Sequence, residues 1–126
     1  MTEKMKIIDF RRENQLDAIF VQKDENCRYL SKFTGSDSYL LLTKEELYLL
    51  TDSRYTEQAR KESADYTVVD YKGHLAEIVA KLAGEYHIKT MGVETVFSYQ
   101  MYLSFHEYMP NIEFRFSQID RLRQIK

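Results

Sequence analysis

The sequence predicts an α/β fold in which a mixed sheet of about six strands is covered by helices on both faces. Short apolar runs alternate along the chain with longer segments of helical periodicity, as is typical of α/β domains. Two apolar runs, 38–43 and 47–51, lie too close together for anything but a tight reversal, so they predict a β-hairpin. Because both runs are apolar nearly throughout, we expect both of their faces to be covered.

The bulk properties predict one globular domain, residues 1–126. A chain of 126 residues, 44% hydrophobic and 30% charged, can bury a single core. The formal net charge of −2 argues against a nucleic-acid-binding surface, which needs a basic excess. Cys27 has no second cysteine to pair with, which fits a reducing cytoplasm. No apolar run approaches the roughly 20 residues that a membrane-spanning helix needs, so we expect a soluble cytoplasmic protein.

The chain is expected to begin with a helix followed by a buried strand. The helix starts at Thr2, carries Met5 and Ile8 on one face with its charged residues available to water, and stops near Asn14. Residues 18–21 then form a compact apolar run whose length and branching are typical of a buried strand.

A short helix capped by Asp24 is expected next, with Cys27 and Leu30 among its residues. Two of its polar positions, Asn26 and Tyr29, allow a structural and a functional interpretation. In the structural one Asn26 supports a turn and Tyr29 packs, and it is favoured because local caps are commoner than sites.

Two polar corners flank the hairpin. Gly35 and the small hydroxyl residues beside it let the 33–37 corner turn sharply and offer N–H groups outward. After the hairpin, Asp52 or Ser53 is expected to cap a helix that continues to residue 62.

The second half of the chain repeats the alternation of strand and helix. A strand over 66–69 precedes an amphipathic helix that ends at Gly84, and a strand over 90–93 follows. A helix over 99–109 stops at Pro110.

The last predicted elements are an edge strand and a short helix. Residues 112–116 alternate as a half-exposed edge strand should, and Ser117 is expected to cap the final helix. The apolar stripes predicted for the last two helices are Met101, Phe105 and Tyr108 in the first and Ile119, Leu122 and Ile125 in the second.

Groups with catalytic chemistry are sparse in this sequence. Its four glycines are isolated, so no phosphate-binding loop is formed, and Ser36 and Ser38 lack a nucleophile elbow. Cys27 has no obvious base nearby and is interpreted as a buried structural thiol. The histidines, which lie in separate segments without a metal-ligand spacing, are His74, His87 and His106.

Four short motifs occur in a fixed order along the first half of the chain. They are Asn26 with Arg28-Tyr29-Leu30-Ser31, then Phe33-Thr34-Gly35-Ser36, then Leu41-Leu42-Thr43, and finally Thr51-Asp52-Ser53-Arg54-Tyr55 with Gln58-Ala59. Together they resemble the amino-terminal domain of the creatinase, prolidase and aminopeptidase P family of pita-bread metallopeptidases, most like a bacterial Xaa-Pro aminopeptidase or dipeptidase. The likeness extends to Met91-Gly92-Val93-Glu94 and to the closing residues 119–126, and it implies a ribonuclease H-like sheet.

The resemblance implies that catalysis belongs elsewhere. In that family two divalent ions, manganese, cobalt or zinc, are held by a carboxy-terminal pita-bread domain and generate the attacking hydroxide. This sequence ends before such a domain begins, so the chain alone is expected to be inactive, either as an excised domain or as a natural truncation. No metal-ligand set is expected within it.

The resemblance further implies a supporting role with two partners, the chain's own catalytic domain and a second subunit of a homodimer. The domain would help dimerisation and close the pocket over short Xaa-Pro peptides. Phe33, Ser36 and Asp37 match the loop that approaches the pocket in that family, and Arg54 matches an arginine that faces the substrate in some members. The residues of the structural motif are Asn26, Tyr29, Gly35, Asp52 and Tyr55.

Several alternatives stay open. Asp52 and Arg54 could pair with each other or with Asn26 and simply lock the hairpin corner, an interpretation that is favoured for Asp52. Lys32 stands where the family often has glycine, so the 33–37 corner is expected to be stiffer or more basic than is usual in that family, and its path could differ. For the whole chain, the alternative is a free-standing interaction or small-ligand-binding module that kept the fold without the enzyme. A creatinase-like amidinohydrolase fits the motifs less well than a peptidase does.

Overall fold

The computed structural model describes residues 3–124. Within them, six strands form one mixed sheet: β1 Ala18–Val21, β2 Tyr39–Thr43, β3 Leu47–Thr51, β4 Thr67–Asp70, β5 Thr90–Val93 and β6 Glu113–Phe116. Their order is β4-β3-β2-β1-β5-β6. Only β2 runs against its neighbours, so the other five strands share one direction. The predicted mixed sheet is confirmed.

Helices cover both faces of this sheet. They are α1 Glu3–Glu13, α2 Asp24–Ser31, α3 Thr56–Glu62, α4 Leu75–Glu85, α5 Tyr99–Tyr108 and α6 Arg121–Gln124, and a 3₁₀ turn, Ser53–Tyr55, precedes α3. Successive residues of β1 alternate between the two cores: Ile19 packs with α1, α2, α3 and α6, whereas Phe20 packs with α4 and α5. Every residue of β3 is buried, as the apolar runs predicted.

Helix α1 turns a different face to the core than the sequence analysis predicted. Met5 and Ile8 are 52% and 36% exposed, while Ile7 and Phe10 are buried. Lys6 is also buried, because its aliphatic stem packs while its Nζ donates a hydrogen bond of 2.6 Å to the Tyr29 hydroxyl. A contact with Tyr29 on α2 therefore accompanies the burial of this face of α1.

Two predicted helix ends are wrong. Lys23 occupies the N-cap of α2 without a side-chain cap bond, and Asp24 lies inside the first turn. Helix α4 continues past Gly84 to Glu85, and the chain reverses at His87, whose φ is 53°.

The last two helices also differ from the prediction. Ser117 does not cap α6, because that helix begins only at Arg121 and the Ser117 Oγ donates to the Arg115 carbonyl at 3.2 Å. Its amide donates to the Val93 carbonyl and continues the pairing of β6 with β5. The cap that the prediction missed is Ser98, whose Oγ accepts from the Met101 amide at 3.0 Å at the start of α5. Tyr108 is 50% exposed and lies outside the buried stripe, whereas Phe105 is buried as predicted. Ile125 lies outside the described residues.

No helix within 3–124 is long and apolar enough to cross a membrane.

Candidate functional site at the carboxyl edge of the sheet

Five parallel strands end at one edge of the sheet, here called the carboxyl edge. The crevice outside the carboxyl ends of the strands is where open α/β sheets bind ligands. Both predicted corners lie at this edge, since the 33–37 corner leads into β2 and Asp52 follows β3. The start of α2, which carries Asn26, follows β1 at the same edge.

The 33–37 corner is built around a buried ring. Lys32 ends α2 in the left-handed region with a φ of 69°, which is the backbone conformation that favours glycine. Phe33 is only 1% exposed, so its ring supports the corner from inside. A Cβ on Gly35 would lie 2.3 Å from Cζ of that ring. Gly35 is thus required by close approach to the Phe33 ring, a different reason from the sharp turn that its sequence context predicts.

Hydrogen bonds to α3 hold the corner in place. The Thr34 amide and Oγ1 donate to Glu62 Oε1 at 2.8 and 2.9 Å, and Gln58 Nε2 donates to Glu62 Oε2 at 3.1 Å. These bonds, first that of the Thr34 amide, hold the pKa of Glu62 below its ordinary value. Ser36 and Asp37 remain exposed at the tip, and Asp37 has a φ of 54°.

The Asp52 corner is locked by its own arginine. Asp52 caps the 3₁₀ turn, and its Oδ1 accepts from the Arg54 amide at 2.9 Å and from Arg54 Nε at 3.0 Å. The Arg54 hydrogen bonds lower the pKa of Asp52. The Arg54 guanidinium lies over the Tyr55 ring at 5.2 Å, and its side chain is still 68% exposed. The structural role favoured for Asp52 is present, and the exposed guanidinium can bind an anion as well.

Tyr71, which the sequence analysis missed, connects the two corners. Its amide donates to the Thr51 carbonyl at 3.2 Å, and its hydroxyl donates to the Asp37 carbonyl at 3.4 Å. Its ring lies 5.8 Å from that of Tyr39, and burial, followed by the charge of Asp37, raises the pKa of Tyr71. The signal available in the sequence was its position directly after β4, since the ends of parallel strands meet at one edge.

Asn26 organises the other half of the carboxyl edge. It is 1% exposed, and its Nδ2 donates to Glu94 Oε2 at 2.6 Å and to Asp120 Oδ1 at 2.8 Å. Its Oδ1 accepts from Arg123 Nε at 2.6 Å. The expectation that Asn26 supports a local turn is therefore wrong, and so is a pairing with the Asp52 corner. Tyr29 packs against the core as expected.

Glu94, directly after β5, is the buried acceptor of this cluster. It is 4% exposed, and its Oε1 accepts from the amides of Gln22 and Lys23 at 2.6 and 2.9 Å. The carboxylate thus satisfies backbone donors at the end of β1 as well as the Asn26 amide. Glu94 was assigned only to a family motif in the sequence analysis, because its partners lie 68 to 72 residues away along the chain.

The lowered pKa of Asp120 predicts a pH dependence for this cluster. Its pKa lies below the ordinary value of 3.8, first because Asn26 donates to it and then because Lys23 does. A depressed pKa stabilises the folded state above the unfolded value, and this contribution is lost as the pH falls through the folded value. We expect Asp120→Asn to lower the free energy of unfolding at neutral pH, and we expect its difference from the parent protein to shrink as the pH falls through the folded-state pKa of Asp120. Urea unfolding at a series of pH values from neutral downward tests this, and a difference that does not change with pH would contradict it.

The described residues do not fit a metal centre. No group of three or more His, Cys, Asp or Glu side chains within 3–124 lies close enough together to hold an ion. Cys27 is buried, and burial raises the pKa of its thiol far above the ordinary value. Its Sγ donates to the carbonyls of Val21 and Ser38, both at 3.6 Å, in keeping with the predicted structural thiol.

Comparison with known proteins decides the family. The family model of the creatinase/prolidase N-terminal domain matches residues 5–125. This chain belongs to that family. This chain is 29% identical over 118 residues to YqhT of Bacillus subtilis (strain 168), an uncharacterized peptidase. The match covers 88% of this chain and 32% of YqhT.

Solved structures share the same fold. An Xaa-Pro dipeptidase from Bacillus anthracis is 29% identical with a TM-score of 0.89, and the match covers 98% of this chain and 36% of that one. The N-terminal domain of the cytoplasmic peptidase PepQ from Mycobacterium tuberculosis H37Rv is 26% identical with a TM-score of 0.86, covering 96% of this chain and 98% of that one. The chain therefore spans about a third of the length of YqhT and of the Bacillus anthracis dipeptidase.

Proposed function

We propose that this chain is the non-catalytic N-terminal domain of an Xaa-Pro peptidase, an aminopeptidase P or a prolidase. It supports dimerisation and closes the substrate pocket of a metal-dependent catalytic domain that lies outside residues 1–126. The observation that carries this proposal is the match of almost the whole chain to 36% of an Xaa-Pro dipeptidase. The cytoplasmic location expected from the sequence agrees with the description of PepQ as a cytoplasmic peptidase.

The exposed groups of the carboxyl edge support a role in holding a short peptide. Arg54 presents a guanidinium that binds a terminal carboxylate bidentately, and Asp52 fixes its orientation through Nε. Ser36 and Asp37 are exposed at the neighbouring corner, which Tyr71 ties to the Asp52 corner. In this proposal Phe33 acts from the core by shaping the corner.

The proposed partners follow from the same assignment. They are the chain's own catalytic domain, a second subunit of the whole enzyme and short Xaa-Pro peptides as its substrate. The two divalent ions, manganese, cobalt or zinc, belong to the catalytic domain and supply the attacking hydroxide there. This chain's contribution is to position the peptide and restrict access to it.

An activity assay tests the proposal directly. The 126-residue chain and a version extended through the downstream coding region are compared on Xaa-Pro dipeptides and longer Xaa-Pro peptides with manganese. Activity is expected in the extended version only. Within that version, we expect Arg54→Ala to raise KM for dipeptides about tenfold, because a charge-assisted contact to the carboxylate is lost. The exposed Arg60 on α3 gives the matched control, Arg60→Ala, with KM unchanged.

Three results would contradict the proposal. One is metal-dependent turnover by the 126-residue chain itself. Another is a stop codon directly after Lys126, which would favour the free-standing binding module. The third concerns the site alone: if Arg54→Ala and Arg60→Ala give the same KM in the extended enzyme, then Arg54 does not contact the substrate.

A further inference from the structure

Strand β6 presents an unpaired edge. Within the described residues it has one neighbouring strand, β5. The amides of Glu113 and Ser117 donate inward, to the carbonyls of Lys89 and Val93, both at 2.8 Å. Because successive residues of a strand direct their backbone groups to opposite sides, the N–H and C=O groups of Phe114 and Phe116 point away from the sheet. These are the groups that another strand would pair with.

The side chains of β6 alternate between the two faces of the sheet. Phe114 packs with α5, and Phe116 on the same face is 69% exposed. Beside Phe116 lies a shallow apolar groove that includes Tyr99, which is 75% exposed. On the opposite face, Arg115 Nε donates to the Glu113 carboxylate. The edge thus has an apolar face with exposed aromatic area and a face with one negative and one positive charge.

We propose that β6 pairs antiparallel with β6 of a second copy of this chain, around a twofold axis at Phe114, so that two sheets become one. With this axis Phe114 lies opposite Phe114 of the second copy and the two residues exchange both backbone hydrogen bonds. Phe116 lies opposite Ile112, which covers part of its exposed ring. Glu113 lies opposite Arg115 of the second copy, and this pair occurs twice.

The charges of Glu113 and Arg115 favour this register over the two registers obtained by moving the axis one residue. Moving the axis to Glu113 places Glu113 opposite itself, and moving it to Arg115 places Arg115 opposite itself. Like charges directly opposite each other destabilise a strand pair, whereas opposite charges stabilise it. Of these three axes, only the one at Phe114 makes the edge self-complementary, which is the property that an isologous dimer requires. This inference rests on the proposed function in one respect, because it names a surface for the dimerisation stated there. The two are tested separately, since association of the 126-residue chain tests the pairing and peptide hydrolysis by the extended enzyme tests the function.

The pairing predicts a concentration-dependent dimer. A four-residue strand contributes a small interface, so we expect association in the micromolar to millimolar range rather than an obligate dimer. Sedimentation equilibrium of the 126-residue chain measures the association constant. Hydrogen exchange measured by NMR adds a residue-level readout: the amides of Phe114 and Phe116 should gain protection as the concentration rises.

A charge swap tests the register. Arg115→Glu alone, or Glu113→Arg alone, places like charges opposite each other twice, so each is expected to weaken association about tenfold or more. The double variant Glu113→Arg/Arg115→Glu restores opposite charges and should return to within about threefold of the parent chain. Lys81→Glu, at an exposed position of α4, makes the same change in net charge away from the edge and should leave association unchanged.

Three outcomes overturn the proposal. They are a parent chain that stays monomeric up to millimolar concentration, a dimer that Arg115→Glu does not weaken, and a double variant that is no stronger than the single ones. Circular dichroism confirms folding of each variant before the comparison. If Arg115→Glu fails to fold, Glu113→Arg tests the same pair from the other side, since its parent side chain is exposed.

Discussion

Replacing Glu94 with alanine is expected to lower the free energy of unfolding by about 3–5 kcal/mol. The carboxylate is 4% exposed and accepts three hydrogen bonds, from the amides of Gln22 and Lys23 and from Asn26 Nδ2. Alanine would leave the buried Asn26 amide and the two partly buried backbone amides without this partner, and each unsatisfied buried group costs about 1–3 kcal/mol. Urea unfolding followed by circular dichroism measures the change.

Two further variants separate this effect from a general cost of substitution. Glu94→Gln keeps one acceptor oxygen but presents a donor in place of the other, so its loss of stability should be intermediate. Glu107→Ala removes an exposed carboxylate from α5 and should change stability by less than about 0.5 kcal/mol. Equal effects of Glu94→Ala and Glu107→Ala would show that the cluster around Asn26 does not hold the carboxyl edge together.

Gly35→Ala is expected to destabilise the protein by about 1–3 kcal/mol. The new Cβ would lie 2.3 Å from Cζ and 2.7 Å from Cε2 of Phe33, a ring that is 1% exposed. Since that ring is packed in the core, the 33–37 corner itself must move outward. Thermal and urea unfolding measure the loss, and in the extended enzyme the displaced corner should also raise KM for Xaa-Pro peptides.

Gly84→Ala provides a matched control, because it is expected to change the free energy of unfolding in the opposite direction. Gly84 lies inside α4, and a Cβ there meets nothing within 4 Å. Alanine is the better helix former, so we expect a gain of about 0.5–1 kcal/mol. If both substitutions shift stability in the same direction, contact with the Phe33 ring is not what requires glycine at position 35.

The strands were the most predictable part of this fold. The runs 38–43 and 47–51 predicted the hairpin now seen as β2 and β3, in which Tyr39 lies opposite Leu50. Apolar runs and tight reversals are local features, so the sequence alone identifies them. The half-exposed alternation at 112–116 likewise placed β6 at the sheet edge.

Side-chain contacts between residues that are close along the chain were predictable, whereas contacts between distant residues were not. The Asp52 cap was expected because the aspartate and the amide that it binds are two residues apart. The buried face of α1 was not predictable, because Met5 and Ile8 have the same spacing as Ile7 and Phe10. The contact of Lys6 with Tyr29, 23 residues away, accompanies the face that is buried.

In the candidate site, local sequence patterns determine the individual elements, and the tertiary structure determines which of their side chains meet. The sequence by itself determined the α/β fold, the six strands and the two corners, because propensity, periodicity and capping act over a few residues. The tertiary structure decided that Asn26 meets Glu94 and Asp120, and that Tyr71 joins Asp37 to the Asp52 corner. Those contacts depend on which strands become neighbours and end at one edge. Strand order is fixed by packing of the whole chain, and no local pattern records it.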